Sequence, residues 1–221
     1  MNRIPEPELM NDPDHALAYA QADFAEPHNR FVELFKNKFP NERIDSHVLD
    51  LGCGPADVTI RFARSYPHCL IHGIDGAEYM LKHGRDAIAK QGLKSRVKLY
   101  WGRLPETKSG RSSYEVIISN SLLHHLNDPM VLWHSIKSYA ARGAVIFVMD
   151  LFRPSSRQEA ARLVEQYAGN EPNILKEDFF HSLCASYRIE EVCSQLEQAG
   201  LAHMSTEVVS DRHMIVYGKL G

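Results

Sequence analysis

The chain has 221 residues, 28 acidic against 25 basic, and a net charge of −3, a length that suits one α/β domain spanning residues 1–221 and a balance that argues against a nucleic-acid partner. Its four cysteines, Cys53, Cys69, Cys184 and Cys193, lie too far apart for a zinc site or a disulfide framework. The longest apolar run, 144–149, is too short for a bilayer and the first residues carry no apolar signal core, so the expectation is a cytoplasmic protein without membrane contact, monomer or homodimer.

Asp12-Pro13 opens a helical pattern running to about Phe24, and Pro27 opens another with Phe31, Leu34, Phe35 and Phe39 on one face, stopped by Pro40. Residues 1–46 thus read as an N-terminal helical segment that could act as a lid. Apolar strand runs follow at 48–51, 70–74, 97–101, 116–119 and 144–149. Helical spacing fills 56–66, 77–91 and 128–141, with Asp128 as N-cap, Pro129 at the first helical position, and Gly92 and Gly143 closing the latter two. Alternation of this kind predicts a parallel sheet covered on both faces.

Residues 151–188 exceed any ordinary connection and read as a helical cap insertion. Ser156 to Glu159 is a capping box, Leu163, Val164 and Tyr167 give that helix an apolar face, and Gly169 closes it. A short helix is expected at 178–185, and Val192, Leu196 and Ala199 mark a last one beginning near Ile189. The runs 203–209 and 214–218, joined by Ser210-Asp211-Arg212, predict a hairpin.

The stretch Val48-Leu49-Asp50-Leu51-Gly52-Cys53-Gly54-Pro55-Ala56-Asp57 joins a buried strand to a helix through a bared backbone that can approach a ligand closely. Asp75 ends the second strand about twenty residues later, the separation at which an acid reaches ribose hydroxyls; capping the helix at 77 is the alternative. A nicotinamide Rossmann domain would want Gly where Asp57 stands, beside a diphosphate, and no Tyr-x-x-x-Lys pair accompanies it.

The stretch resembles the first motif of class I S-adenosylmethionine-dependent methyltransferases, with Ala56 where the family usually has a third Gly. The segment 119–129, Ser-Asn-Ser-Leu-Leu-His-His-Leu-Asn-Asp-Pro, resembles the family's stretch beside the methionine moiety. That resemblance implies an α/β three-layer sandwich with a seven-stranded, mostly parallel sheet of order 3-2-1-4-5-7-6. It implies S-adenosylmethionine as cofactor, S-adenosylhomocysteine as product, and cofactor contacts from Tyr19, Asp50, Gly52, Gly54, Asp75, Gly76, Met80, Gly102, Arg103, Leu104, Asn120 and Ser121. Tyr19 with Phe24 resembles the family's aromatic closure over the cofactor, helix packing being the alternative. Arg103 stands where many relatives carry an acid, which shifts adenine recognition to the backbone of 102–104. The expected activity is methyl transfer to a small-molecule O, N or S nucleophile; a binding module without catalysis, or action on protein or RNA, are the alternatives.

For catalysis the candidates are His124, His125 and Arg153. Adjacent histidines point apart and no acid in the sequence completes a triad, so no metal is expected; one imidazole could serve as general base or be structural. Arg153 could orient an anionic acceptor or pair with Asp150 or Asp178. In the cap, Tyr167, Phe179, Phe180 and Tyr187 are expected as acceptor walls, with Arg153 and His181 as polar groups.

Overall fold

A computed structural model describes residues 1–6, 12–22, 24–107 and 109–221. Of the expected N-terminal lid, residues 7–11 and 23 therefore lie outside the described residues. In chain order the elements are α1 (Pro13–Gln21), α2 (Ala25–Lys38), β1 (His47–Leu51), α3 (Asp57–Ser65), β2 (Leu70–Asp75), α4 (Glu78–Lys90), β3 (Val97–Trp101), β4 (Tyr114–Asn120), α5 (Met130–Tyr139), β5 (Ala140–Leu151), α6 (Arg157–Ala168), α7 (Asn173–Ala185), α8 (Ile189–Gln198), β6 (Ser205–Val208) and β7 (His213–Lys219). A single 3-10 turn, Leu123–His125, follows β4.

The seven strands form one sheet of order β3-β2-β1-β4-β5-β7-β6, parallel except for β7, which runs antiparallel to both β5 and β6. Side-chain alternation supplies the two outer layers. On β1 and β5, Val48, Val145, Phe147 and Met149 face one side, where Phe31 and Phe35 of α2 and Phe62 of α3 meet them. Phe35 makes edge contacts with Phe62 at 4.9 Å and Phe147 at 5.5 Å. Leu49, Leu51, Ile146 and Val148 face the other side, packed under Trp133 and Ile136 of α5 and Val192 and Leu196 of α8. Trp133 Nε1 donates to Gln195 Oε1 at 3.0 Å, tying α5 to α8. No helix of the described residues is long and apolar enough to cross a membrane.

Several boundaries depart from expectation. Helix α2 begins at Ala25, so Pro27 sits in its first turn, where a missing N–H leaves no bond unmade. Helix α5 stops at Tyr139 and β5 starts at Ala140 rather than 144. Ala140 pairs with Tyr114, and a register irregularity restores the ladder at Val116 with Val145. The second insertion helix begins at Asn173, after Pro172, not at 178.

Within the insertion, α6 and α7 share an apolar cluster of Leu151, Ala160, Leu163 and Leu183, with Phe179, Phe180 and Met1 against it. The N-terminal residues run across this junction as a strap. Arg3 donates to the carbonyls of His124 and Leu126, each at 3.0 Å, and to that of Ala185, with its guanidinium 4.1 Å over the Tyr187 ring. Ile4 N bonds Cys184 O at 3.0 Å. Because β1 lies between β2 and β4, the chain leaves it in both directions, and a crevice opens at the carboxyl ends of these strands.

Candidate functional site

The turn after β1 is held by backbone and by one carboxylate. Gly52 N and Cys53 N donate to Ile74 O at 2.9 and 3.1 Å. Asp75 Oδ2 accepts from Gly54 N and Asp75 Oδ1 from Ala77 N, both at 2.8 Å, so this one side chain fixes the turn after β1 and the entry to α4 together. Each oxygen keeps acceptor capacity for a further donor. Burial holds the Asp75 carboxyl above its ordinary value, opposed by those two N–H groups.

The glycines have different reasons to be glycine. A Cβ on Gly52 would lie 2.9 Å from Leu122 Cβ, at φ +72°. On Gly54, at φ +50°, it would meet nothing within 4 Å, so this residue bares its backbone to open space. Ala56, at φ 65°, adopts the left-handed conformation that a glycine would take without strain. Asp57 then opens α3, its Oδ2 2.7 Å from both His28 Nδ1 and Arg61 Nε; burial works against ionisation, but these partners hold the carboxyl below its ordinary value.

All twelve residues expected at a cofactor, Tyr19, Asp50, Gly52, Gly54, Asp75, Gly76, Met80, Gly102, Arg103, Leu104, Asn120 and Ser121, border one cleft at this end of the sheet. Asp50 is buried beneath its floor, accepts from Thr59 Oγ1 at 2.6 Å, and is pushed by burial up to about 7. Met80 packs with Ala16, Ala77 and Tyr19, bringing α1 over α4. Tyr19 lies 4.6 Å from the Phe24 ring, its phenol pushed up to about 12 by burial and then by the carboxylates of Asp57 and Asp75. Asn120 Oδ1 is buried without a protein hydrogen-bond partner, and Ser121 beside it takes φ 56°. A non-glycine residue in that region is strained, and strain of this sort gathers at binding sites. The cleft also takes in His28, Asp57, Leu122, His125 and Leu126, which were not assigned to a cofactor from sequence. Leu122 and Leu126 flank the histidines in the 119–129 segment, whereas nothing local marks His28.

The histidine expectations need correction. His124 and His125 do not point apart: the 3-10 turn brings their rings to 4.2 Å with 36° between planes. An acid completes the group, for Glu6 Oε1 of the strap lies 3.6 Å from His124 Nε2 and 3.0 Å from His125 Nδ1. Only His125 borders the cleft. His124 is buried behind it, Nδ1 2.6 Å from Asp150 Oδ1, and Asp150 with Glu6 holds this imidazole above its ordinary value although burial acts the other way.

Arg153 and the nominated cap walls also lie elsewhere. Arg153 is buried, donating to Glu191 Oε1 at 2.7 Å and Ser186 O at 3.0 Å, and pairs with neither Asp150 nor Asp178. It fastens the insertion to α8 and does not reach the cleft. Tyr167 is 41% exposed and bonded to Asp211, Phe179 and Phe180 serve the α6–α7 cluster, and Tyr187 donates to Leu126 O at 2.9 Å. Neither these aromatics nor His181 lines the cleft.

A family model described as a methyltransferase domain matches residues 48–143. Trans-aconitate 2-methyltransferase of Delftia acidovorans is 30% identical over 118 residues, covering 53% of this chain and 41% of that protein. The 27-O-demethylrifamycin SV methyltransferase of Amycolatopsis mediterranei is 28% identical over 171 residues, covering 76% and 58%. The chain thus spans about half the length of these curated relatives. Among solved structures, the plantazolicin methyltransferase BpumL in complex with S-adenosylhomocysteine aligns with a TM-score of 0.70 at 14% identity, covering 95% of this chain and 91% of that one, a likeness of fold.

Proposed function

The chain belongs to the class I S-adenosylmethionine-dependent methyltransferases, and from that premise we propose that it moves a methyl group from S-adenosylmethionine to an O, N or S atom of a small molecule, releasing S-adenosylhomocysteine. The observation that carries this reading is the carboxylate of Asp75 joining Gly54 to Ala77 beside an open backbone. Its remaining lone pairs suit the two ribose hydroxyls, Met80, Ala77 and Leu104 offer an apolar bed for adenine, and the bare Gly54 backbone with the orphaned Asn120 Oδ1 suits the amino-acid end. A small acceptor is supported by the small molecules for which both curated relatives are named.

The cofactor supplies an electrophilic methyl carbon and a neutral leaving group. What falls to the protein is alignment and exclusion of water. Tyr19 and α1 close one side of the cleft, and the 3-10 turn, through His125 and with the strap bonded to it from behind, closes another. An acceptor that must lose a proton meets only one of the paired histidines at the cleft wall, His125; His124 is engaged with Asp150 behind it. The insertion supports the cleft from behind instead of covering it: α7 packs on α1 and on the 3-10 turn, steadying both walls. Four free cysteines fit a cytoplasmic setting.

Calorimetry against S-adenosylhomocysteine and NAD, followed by S-adenosylhomocysteine release across carboxylates, phenols, amines and thiols, with total RNA and protein as further arms, tests the proposal. Preferential NAD binding overturns the cofactor reading. Tight cofactor binding with no turnover in any arm points to a binding module, and turnover on RNA or protein alone overturns the small-molecule assignment.

A further inference from the structure

We propose that Glu6, His124 and His125 form a binding site for one divalent first-row transition ion, of the class of Zn²⁺, Co²⁺ or Fe²⁺. Two imidazole nitrogens and a carboxylate oxygen are a donor set such ions favour. Here the three donor atoms converge, all within 4.8 Å of one another. The Glu6 Oε1 separations of 3.0 Å to His125 Nδ1 and 3.6 Å to His124 Nε2 bracket about 3.3 Å, the spacing set between tetrahedral ligands by bonds of about 2.0–2.1 Å.

The surroundings are arranged as the outer shell of a metal site is. A ligating histidine commonly gives its other ring nitrogen to a carboxylate, which fixes the tautomer and aims the free lone pair. His124 does so through Nδ1 to Asp150 Oδ1 at 2.6 Å. Asp150 is itself fixed by Leu123 N at 2.7 Å and Leu151 N at 2.8 Å. Ser182 Oγ donates to Glu6 Oε1 at 3.2 Å, orienting the third ligand. His125 Nδ1 is buried 3.0 Å from Glu6 Oε1 and has no other partner among the described residues, so both atoms are free to turn to a shared ion.

Charge points the same way. Glu6 and Asp150 bring two carboxylates into a nearly dry pocket, their side chains 11% and 2% exposed, and among the described residues Arg3 is the fixed cation bonded beside them. With both imidazoles neutral one negative charge is left over, and a cation settles it. The rival cation is a proton shared within the cluster. Because His125 also borders the cleft, an ion here would sit at the cleft edge and fasten the N-terminal strap to it. This inference is tested without cofactor or acceptor, so it stands or falls apart from the methyl-transfer reading.

Tag-free full-length chain, stripped with chelator, is titrated with Co²⁺ and followed by visible absorption, with Zn²⁺ as competitor and metal content read by elemental analysis. The expected result is one Co²⁺ per chain, with ligand-field bands that Zn²⁺ abolishes. Glu6→Gln and His125→Gln should each weaken binding at least 100-fold and Asp150→Asn about 10- to 100-fold, while His68→Gln, at an exposed position, should leave it unchanged. Because His124→Ala strands the buried Asp150 and can unfold the chain, Glu6→Gln on the terminal strap carries the decision. Absence of saturable binding at submillimolar metal and neutral pH, which assigns the charge to a proton, overturns the proposal, as does binding that survives Glu6→Gln.

Discussion

Replacing each turn glycine by alanine separates what the fold needs from what the ligand needs. At Gly54 the new Cβ meets no atom within 4 Å, so the folded chain feels only the strain of φ +50°, about 1–2 kcal/mol. For a domain of this size that lowers Tm by roughly 2–8 °C. At Gly52 the same strain is joined by a Cβ 2.9 Å from Leu122 Cβ and Cδ1, an overpacking of about 1–3 kcal/mol more. Ligand affinity should rank oppositely to this difference in stability. The Gly54 methyl enters the space assigned to the cofactor, and overpacking of about 1–3 kcal/mol there weakens S-adenosylhomocysteine binding roughly 5- to 150-fold. Scanning calorimetry gives the first quantity and titration calorimetry the second. Wild-type affinity in Gly54→Ala, or an equal Tm loss in both variants, would refute the assignment of Gly54 to the ligand and Gly52 to the fold.

Asp75→Ala should lower S-adenosylhomocysteine affinity by at least tenfold and also cost stability, since two backbone N–H groups lose their acceptor; titration and melting of the same sample check both. Asp50 keeps its proton to about pH 7 in the folded chain against an ordinary 3.8, so between those values the folded state holds the extra proton and stability falls as pH rises. Asp50→Asn should flatten that slope and melt at least as high as wild type at pH 8. Arg153→Ala should lose about 1–3 kcal/mol, below the usual figure for a broken buried pair because Glu191 is 43% exposed and rehydrates, while S-adenosylhomocysteine affinity stays within twofold in parallel titrations. Ala56→Gly should raise stability by up to about 1 kcal/mol in denaturant titration by releasing the left-handed strain.

The sheet and its glycine turn were legible because they are local demands on residue type. Val48 and Leu49 alternate into opposite layers, and a backbone at φ +72° or +50° favours glycine, although Ala56 and Ser121 hold the same region at a cost in strain. The acid at Asp75 was legible because strand length fixes its distance from that turn. Long-range pairing leaves no such imprint. Arg153 could be seen to want a carboxylate, but Glu191, 38 residues away, is chosen by how α8 docks. Glu6 reaches the histidines only because the strap crosses α7, and no periodicity announces that. Tertiary context also overrode local preference at Ala140, a good helix former drawn into β5 by its pairing with Tyr114.

The strap has a consequence for the order in which the molecule becomes complete. Arg3 bonds residues 121, 123 and 182 positions further along, so its partners are synthesised long after it. The central pairs of β1 with β2 and β4 close far shorter loops and can be in place while the first six residues still wander. In native-state hydrogen exchange the Ile4 amide, bonded to Cys184 O, should therefore open well before the amides of β1. The interior would be finished early, and the turn that carries His125 to the cleft would be braced only when the chain's beginning comes to rest on it and on α7.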